Sequence, residues 1–211
     1  MEELVPIKTI YGEEKSWDDI CELDSADVSK RTSSIFDKST GAYAIKCFGT
    51  EFQVFPCDRK IECHHKEGEL FLGKFKDFYR LSVLCYFATS KDIALSGQLI
   101  KPTDVKGGHR FSKGTHILPL DKLAERFAND PKGFVCQGQK FGAEKVEGLG
   151  DAAIKLYPLP RVPVTLLLWV ADEEYPPRVD LFLDSTCDLQ IALSDIVWAV
   201  AMMSALVMLE E

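Results

Sequence analysis

The sequence is poor in the signatures of familiar chemistry. It contains no Gly-x-Ser-x-Gly elbow, no His-Glu-x-x-His pair and no cysteine beside an evident activating partner. That sets aside the common hydrolase constellations. Positive charge is in deficit: 25 Lys and Arg stand against 33 Asp and Glu, a formal charge of −8 at pH 7. A field of that sign repels phosphate backbones and anionic lipid, so neither nucleic acid nor a membrane surface is an expected partner. The cations Lys101, Lys106, Arg110 and Lys113 lie close together, but in a glycine-bearing loop that reads as solvated. The N-terminus carries Glu2 and Glu3 rather than a basic segment followed by an apolar one, and the expectation is a cytoplasmic protein without a secretory signal.

A membrane-length apolar run is missing too. Ile196 to Leu209 is uncharged but shorter than the roughly 20 residues needed to span hydrocarbon. It is flanked by Asp195 and Glu210, with no lysine or arginine anchor. It reads as a buried C-terminal helix opened by Ser194. A helix apolar on every side needs cover on every side. Core packing supplies that cover in the preferred reading, and a homodimer partner in the other. No internal repeat or low-complexity segment is present.

What the chain does hold is ordinary globular material. Its 211 residues, 46% hydrophobic and 27% charged, suffice for one substantial core, and we expect residues 1–211 to form one globular unit. Seven cysteines, an odd number at irregular spacing, fit reduced intracellular thiols better than a disulfide framework. Ser16 reads as an N-cap with Asp18 and Asp19 in the first turn, opening a helix over about 17–33 with a break near Asp24-Ser25. From Ala42 the hydrophobic period changes to two. Tyr43 to Cys47, Phe52 to Phe55 and Ile61 to His64 then form an antiparallel meander. The aromatic-rich run Leu70 to Ala88 predicts a helix packed on that sheet, its rings serving as core. Helices over about 118–129 and from Asp130-Pro131 to Gly142 follow, then a glycine turn and a strand over 152–157.

The stretch that organises the rest is Val164 to Val170, almost continuously apolar and read as a strand covered on both faces. Acidic residues and the Pro176-Pro177 pair then stop pairing, because proline has no N–H to offer a neighbour. Val179 to Asp184 returns with Val179, Leu181 and Leu183 on one face, completing a hairpin at the centre of a sheet. The fold class is therefore α+β: a mainly antiparallel sheet of about six to seven strands, with helices packed chiefly on one face.

Three constellations are candidates for function. Asp172, Glu173 and Glu174, with Tyr175 beside them and Asp180 and Asp184 nearby, place several carboxylates at the end of a buried strand. A divalent cation, an arginine or a raised pKa would relieve their repulsion, and so would plain solvation of the turn. Arg161 and Arg178 flank the hairpin as ion-pair partners. Next, Cys57, Cys63, His64 and His65 are soft donors suited to zinc or iron, although strand alternation sends His64 to the face opposite the cysteines. The third candidate is Gly107-Gly-His-Arg-Phe111, where His109 and Arg110 could bind an anion or move a proton. It lacks the strand and helix that make a phosphate loop.

The run Leu159-Pro-Arg-Val-Pro163, Trp169, Asp172-Glu-Glu-Tyr-Pro176 and Leu181-Phe-Leu-Asp184 resembles an uncharacterised family of bacterial and archaeal domains, found largely in anaerobes. Gly148-Leu-Gly-Asp-Ala152, Gly107-Gly-His-Arg-Phe111 and the helical run near Tyr79 to Ala88 extend the resemblance over most of the chain. In some members the domain follows a small cysteine-rich module of the kind that holds a four-iron cluster. Such a cluster needs about four thiolates, and Cys21 is the only cysteine before residue 47, so the module is absent here and the residues name no cofactor. The leading reading is a non-catalytic or accessory cytoplasmic domain that binds a protein or a small ligand, its working surface including the Asp172 to Tyr175 rim and the Gly107 to Phe111 loop; a setting in anaerobic redox or one-carbon metabolism is what the resemblance implies. The alternative is an enzyme using the Asp172 to Glu174 rim, with or without a metal, and His109 as acid or base.

Overall fold

The computed structural model describes residues 13–111 and 116–211. Glu2, Glu3 and Lys113 lie outside the described residues. The described residues open with two helices, α1 (Glu13–Glu22) and α2 (Ser25–Thr32). The break between them falls where the sequence suggested, and Asp24 makes it, its side chain accepting from Asp27 N at 2.8 Å as an N-cap does. Ser16 is not a cap: α1 already runs from Glu13, and Ser16 is a buried residue within it.

Four short strands follow as an antiparallel meander in sequence order: β1 (Ile35–Asp37), β2 (Ala42–Cys47), β3 (Thr50–Phe55) and β4 (Lys60–Glu62). Their inner face, with Tyr43, Ile45, Cys47, Phe52 and Val54 buried, belongs to the same apolar cluster as α3 (Gly68–Leu72) and α4 (Lys76–Thr89). Aromatic rings fill that layer. Phe48 stacks on Phe71 at 4.7 Å, and Phe52 meets Tyr79 at 4.7 Å, within the range where such pairs attract. The predicted single helix over 70–88 is two helices, because Gly73 and Lys74 interrupt it.

A second antiparallel sheet carries the remaining strands in the order β5-β9-β8-β7-β6. They are β5 (Leu99–Ile100), β6 (Glu144–Val146), β7 (Ala152–Leu159), β8 (Val162–Trp169) and β9 (Arg178–Asp184). The expected single sheet is thus two, of four and five strands. Alternation explains the packing. Ile154, Leu156, Val164, Leu166, Leu168, Leu181 and Leu183 share one face and join the core cluster, against α5 (Leu120–Arg126), α6 (Pro131–Lys140) and, after the short α7 (Cys187–Gln190), α8 (Ser194–Val207). On the other face Thr165 and Leu167 are also buried, at 2% and 6% exposure. So β8 is dry on both sides, as its unbroken apolar run predicted.

Two prolines lie inside strands rather than outside them. Pro158 and Pro163 sit where the β7–β8 register shifts between Leu156 and Leu159. Such an irregularity is where a residue without an N–H is tolerated. In the same stretch Tyr157 O accepts from Phe48 N at 2.8 Å, joining the tip of the β2–β3 hairpin to the second sheet. The contact is close enough to require glycine on both sides. A Cβ on Gly49, at φ +77°, would lie 2.8 Å from Gly142 Cα, and one on Gly142, at φ +70°, would lie 2.5 Å from Gly49 Cα.

The terminal helix α8 is buried within the chain, with Ile196 to Ala205 and Val207 covered. Ser194 is its first residue rather than its cap; Leu193 holds the cap position without a side-chain bond. Among the described residues no helix is long and apolar enough to cross a membrane.

One buried charge fastens the edge of the second sheet. The Asp184 carboxylate, 4% exposed, accepts from Ser96 N and Oγ, Gly97 N, and Thr186 N and Oγ1 at 2.7 to 3.2 Å. Burial opposes its ionisation, but the bonds from Thr186, Ser96 and Gly97 outweigh it and hold the carboxyl below its ordinary value. A group whose folded pKa is depressed stabilises fully above its unfolded value and loses that contribution as pH falls through the folded one. We predict that Asp184→Asn costs about 2 kcal/mol at pH 7. Urea melts repeated from pH 7 to pH 3 should show this deficit shrinking below about pH 4, the ordinary carboxylate range. A deficit unchanged at low pH would mean that the charge is not what matters.

Candidate functional site

The end of the β8–β9 hairpin is built outward from its register. Leu168 pairs with Val179 and Trp169 with Arg178, so Trp169 is the residue at which the dry strand emerges into water. Its indole is 39% exposed, and the Arg178 guanidinium lies 5.4 Å from the ring centre. Asp180 accepts from Trp169 Nε1 at 3.1 Å and pairs with Arg178 Nε at 3.0 Å. Indole, guanidinium and carboxylate thus fix one another, and the ring is held rather than free to swing. Asp151 secures the neighbouring backbone, its Oδ2 accepting from Val170 N at 2.8 Å.

Beyond Trp169 the chain turns through the acidic segment. Asp172 Oδ1 accepts from Glu174 N at 2.8 Å and Tyr175 N at 2.7 Å, while Asp172 N donates to Tyr175 O at 3.1 Å. This is an Asx turn: the carboxylate mimics a backbone carbonyl and closes the loop. Asp172, Glu173 and Glu174 are all exposed. Their repulsion is therefore relieved by water and by two backbone N–H groups. Tyr175 stands out at 65% exposure.

Other expected members of the rim lie elsewhere. Asp184 is at the opposite end of β9 and serves the buried anchor described above. Arg161 occupies the β7–β8 turn, at the far end of β8, and pairs with Asp92 Oδ1 at 2.7 Å instead of with the rim. Of the two flanking arginines, Arg178 alone stays at the hairpin end.

The glycine loop is anchored to a different element. His109 and Arg110 are exposed on a short 3-10 turn, Gly108–Phe111. Phe111 packs on Trp198 of α8 at 5.5 Å, and Trp198 Nε1 donates to His116 O at 2.8 Å. The acidic turn is closed by its own backbone and this loop by α8.

The four soft donors are not gathered into one site. Cys57 is bonded to Cys21 of α1, which corrects the expectation of reduced thiols throughout and occupies that sulfur. Cys63 Sγ lies 3.3 Å from Glu51 O and accepts from His65 N at 3.4 Å, while His64 and His65 are exposed. Among the described residues no group of three or more His, Cys, Asp or Glu is placed to hold a metal ion. Burial pushes the thiols of Cys47 and Cys187 up to about 12, so both stay protonated and unreactive at neutral pH.

Sequence reading missed Trp169 as a surface group and did not pair Cys21 with Cys57. Its signal was available for the first: a large aromatic at the last position of an apolar strand, directly before polar residues, is where burial ends. Cysteine spacing alone carries no such signal for the second.

A family model described as "Domain of unknown function (DUF3786)" matches residues 24–205. The chain belongs to that family, an α+β domain whose activity its description leaves open. No curated protein and no solved structure matches the chain.

The hairpin geometry is open to an optical test. Trp17 and Trp198 are buried while Trp169 is half exposed, so a neutral quencher such as acrylamide should reach one of the three indoles. Trp169→Phe is expected to remove most of the quenchable emission and leave the melting temperature within about 2 °C. Equal quenching before and after the substitution would place the exposed indole elsewhere.

Proposed function

We propose that this chain is a non-catalytic binding domain that uses the β8–β9 hairpin end to hold a basic segment of a protein partner. The observation that carries this reading is the exposure of Trp169 and Tyr175 beside Asp172, Glu173 and Glu174. Aromatic side chains with a polar handle are over-represented among residues that dominate interfaces. Carboxylates around them select positive charge and speed encounter with it. The charge of −8 acts in the same direction over longer range. The setting we assign, a single cytoplasmic unit serving anaerobic redox or one-carbon metabolism, rests on the resemblance of the sequence. The His109 and Arg110 turn, whose Phe111 packs on Trp198 of α8, is not needed for this reading.

Two kinds of residue do different work in the proposed surface. Glu173 and Glu174 are exposed acids that steer, whereas Asp172 builds the turn, so its loss would alter shape as well as charge. Trp169 and Tyr175 supply contact area that is already ordered, which lowers the entropic cost of binding.

The test uses a lysine-rich peptide carrying one or two leucines, with a glutamate-rich peptide of equal length as comparison. Binding is read from Trp169 emission. The lysine-rich peptide should bind in a salt-sensitive way, and Glu173→Gln with Glu174→Gln should weaken it about tenfold. Tyr175→Ala should weaken it by a similar factor with little change in salt dependence. Equal affinity for both peptides, or indifference to all three substitutions, would remove the hairpin end as a recognition surface.

A further inference from the structure

The Cys21–Cys57 bond joins two parts of the chain of different standing. Helix α1, which ends at Glu22, lies outside the family match over residues 24–205. Cys57, in the turn between β3 and β4, lies inside it. The bond closes a sequence separation of 36 residues. Both cysteines are exposed, so a dissolved thiol can reach the bond. Exposed disulfides are the exchangeable kind, in contrast to buried structural ones.

Apart from this bond, α1 is held by a mixed and imperfect set of contacts. Trp17 and Ile20 are buried where α1 packs on α4. Arg59, beside Cys57, pairs with Glu14 and, at 2.8 Å, with Asp18. Arg80 of α4 pairs with Glu13 at 2.9 Å, yet its Nε is buried without a hydrogen-bond partner among the described residues. Ion pairs this exposed contribute little, and an unpaired buried donor opposes the seating. A helix this short is marginal once free of its support. Its seating therefore leans on the covalent link.

We propose that the Cys21–Cys57 disulfide is a thiol-exchangeable clip that sets whether α1 is seated on α4. A thiolate of an external dithiol attacks one sulfur, the S–S bond breaks, and a mixed disulfide forms. The second thiol of the reductant displaces it. The protein gains two electrons and two protons as two thiols, and the reductant leaves as a disulfide. Oxidation by a disulfide of the same class reverses the step. Opening the clip frees α1 and uncovers the α4 surface under Trp17 and Ile20, while the β7–β8–β9 sheet stays folded. This inference concerns a different face from the hairpin end and stands independently of it.

The test is hydrogen exchange of the whole chain, with and without dithiothreitol. A thiol count on denatured protein should rise from five to seven on reduction, since Cys47, Cys63, Cys85, Cys136 and Cys187 are free. Exchange in residues 13–22 and in the first half of α4 is expected to accelerate at least about tenfold, with β8 unchanged. Arg59→Gln should add to the acceleration in the reduced protein and have little effect in the oxidised one. Cys21→Ser with Cys57→Ser should reproduce the reduced pattern. Seven thiols with unchanged exchange in α1 would overturn the proposal. Acceleration that includes β8 would do so as well, because the bond would then be part of the general stability of the fold.

Discussion

The dryness of β8 governs much else in this molecule. A strand buried on both faces has no water to satisfy its backbone, so its polar groups must be paired along both edges. That places it at the centre of a sheet, between β7 and β9. Its flanks then have to cross it in antiparallel sense, as the short turn at Pro160-Arg161 and the longer excursion of residues 170–177 allow. The two ends of β8 become chemically unlike. One is closed by Arg161, which donates to Ile93 O, Lys30 O and Asp92 and so ties the hairpin to the body of the protein. The other is closed by Asp151, which accepts from Val170 N, and by the Asx turn at Asp172, and it projects Trp169 and Tyr175 outward.

That asymmetry explains why the acidic turn is polite to itself. Three neighbouring carboxylates in a low-dielectric place would demand a cation or a shifted titration. In the structure they stand in water, and the one that turns inward finds backbone donors. The repulsion that made the segment look chemical is dispersed before it can serve as a driving force for metal binding. What remains at the site is shape: an indole fixed by Arg178 and Asp180, a protruding tyrosine, and negative charge around both. Such an arrangement offers ordered apolar area and charge of one sign, the two features on which the proposed contact with another surface rests.

Much of the fold was legible because it follows from period and punctuation. Alternation assigned Val179, Leu181 and Leu183 to the core face of β9, and Asp130-Pro131 opened α6, with Asp130 accepting from Gly133 N at 2.8 Å. The division into two sheets was not legible, since which strands pair is set over long separations that no local pattern encodes, and neither was the close approach of Gly49 to Gly142. Ser16 and Ser194 were misread as caps for a related reason: capping preference is a property of one residue, whereas the start of a helix is decided by what its first turn packs against. At the candidate site the sequence identified the acids but not their neighbour Trp169. Hydropathy treats tryptophan as core, and exposure at the last residue of a strand is set by where pairing stops.

The disulfide brings sequence composition and structure into tension in an instructive way. An odd set of seven cysteines at irregular spacing fits reduced thiols, and where thiols are kept reduced a permanent disulfide is uncommon. Five of the seven are free, and the two that pair, Cys21 and Cys57, sit at the surface, outside the apolar layer that holds Cys47 and Cys187. A bond in that position contributes chiefly by limiting the freedom of the chain between its ends. The loop it closes runs from Cys21 to Cys57, and α1, which ends at Glu22, is tethered through Cys21 to the β3–β4 turn in addition to its buried Trp17 and Ile20 and its ion pairs. An exposed bond in that position is open to exchange with a dissolved thiol, which is the property the proposed clip requires.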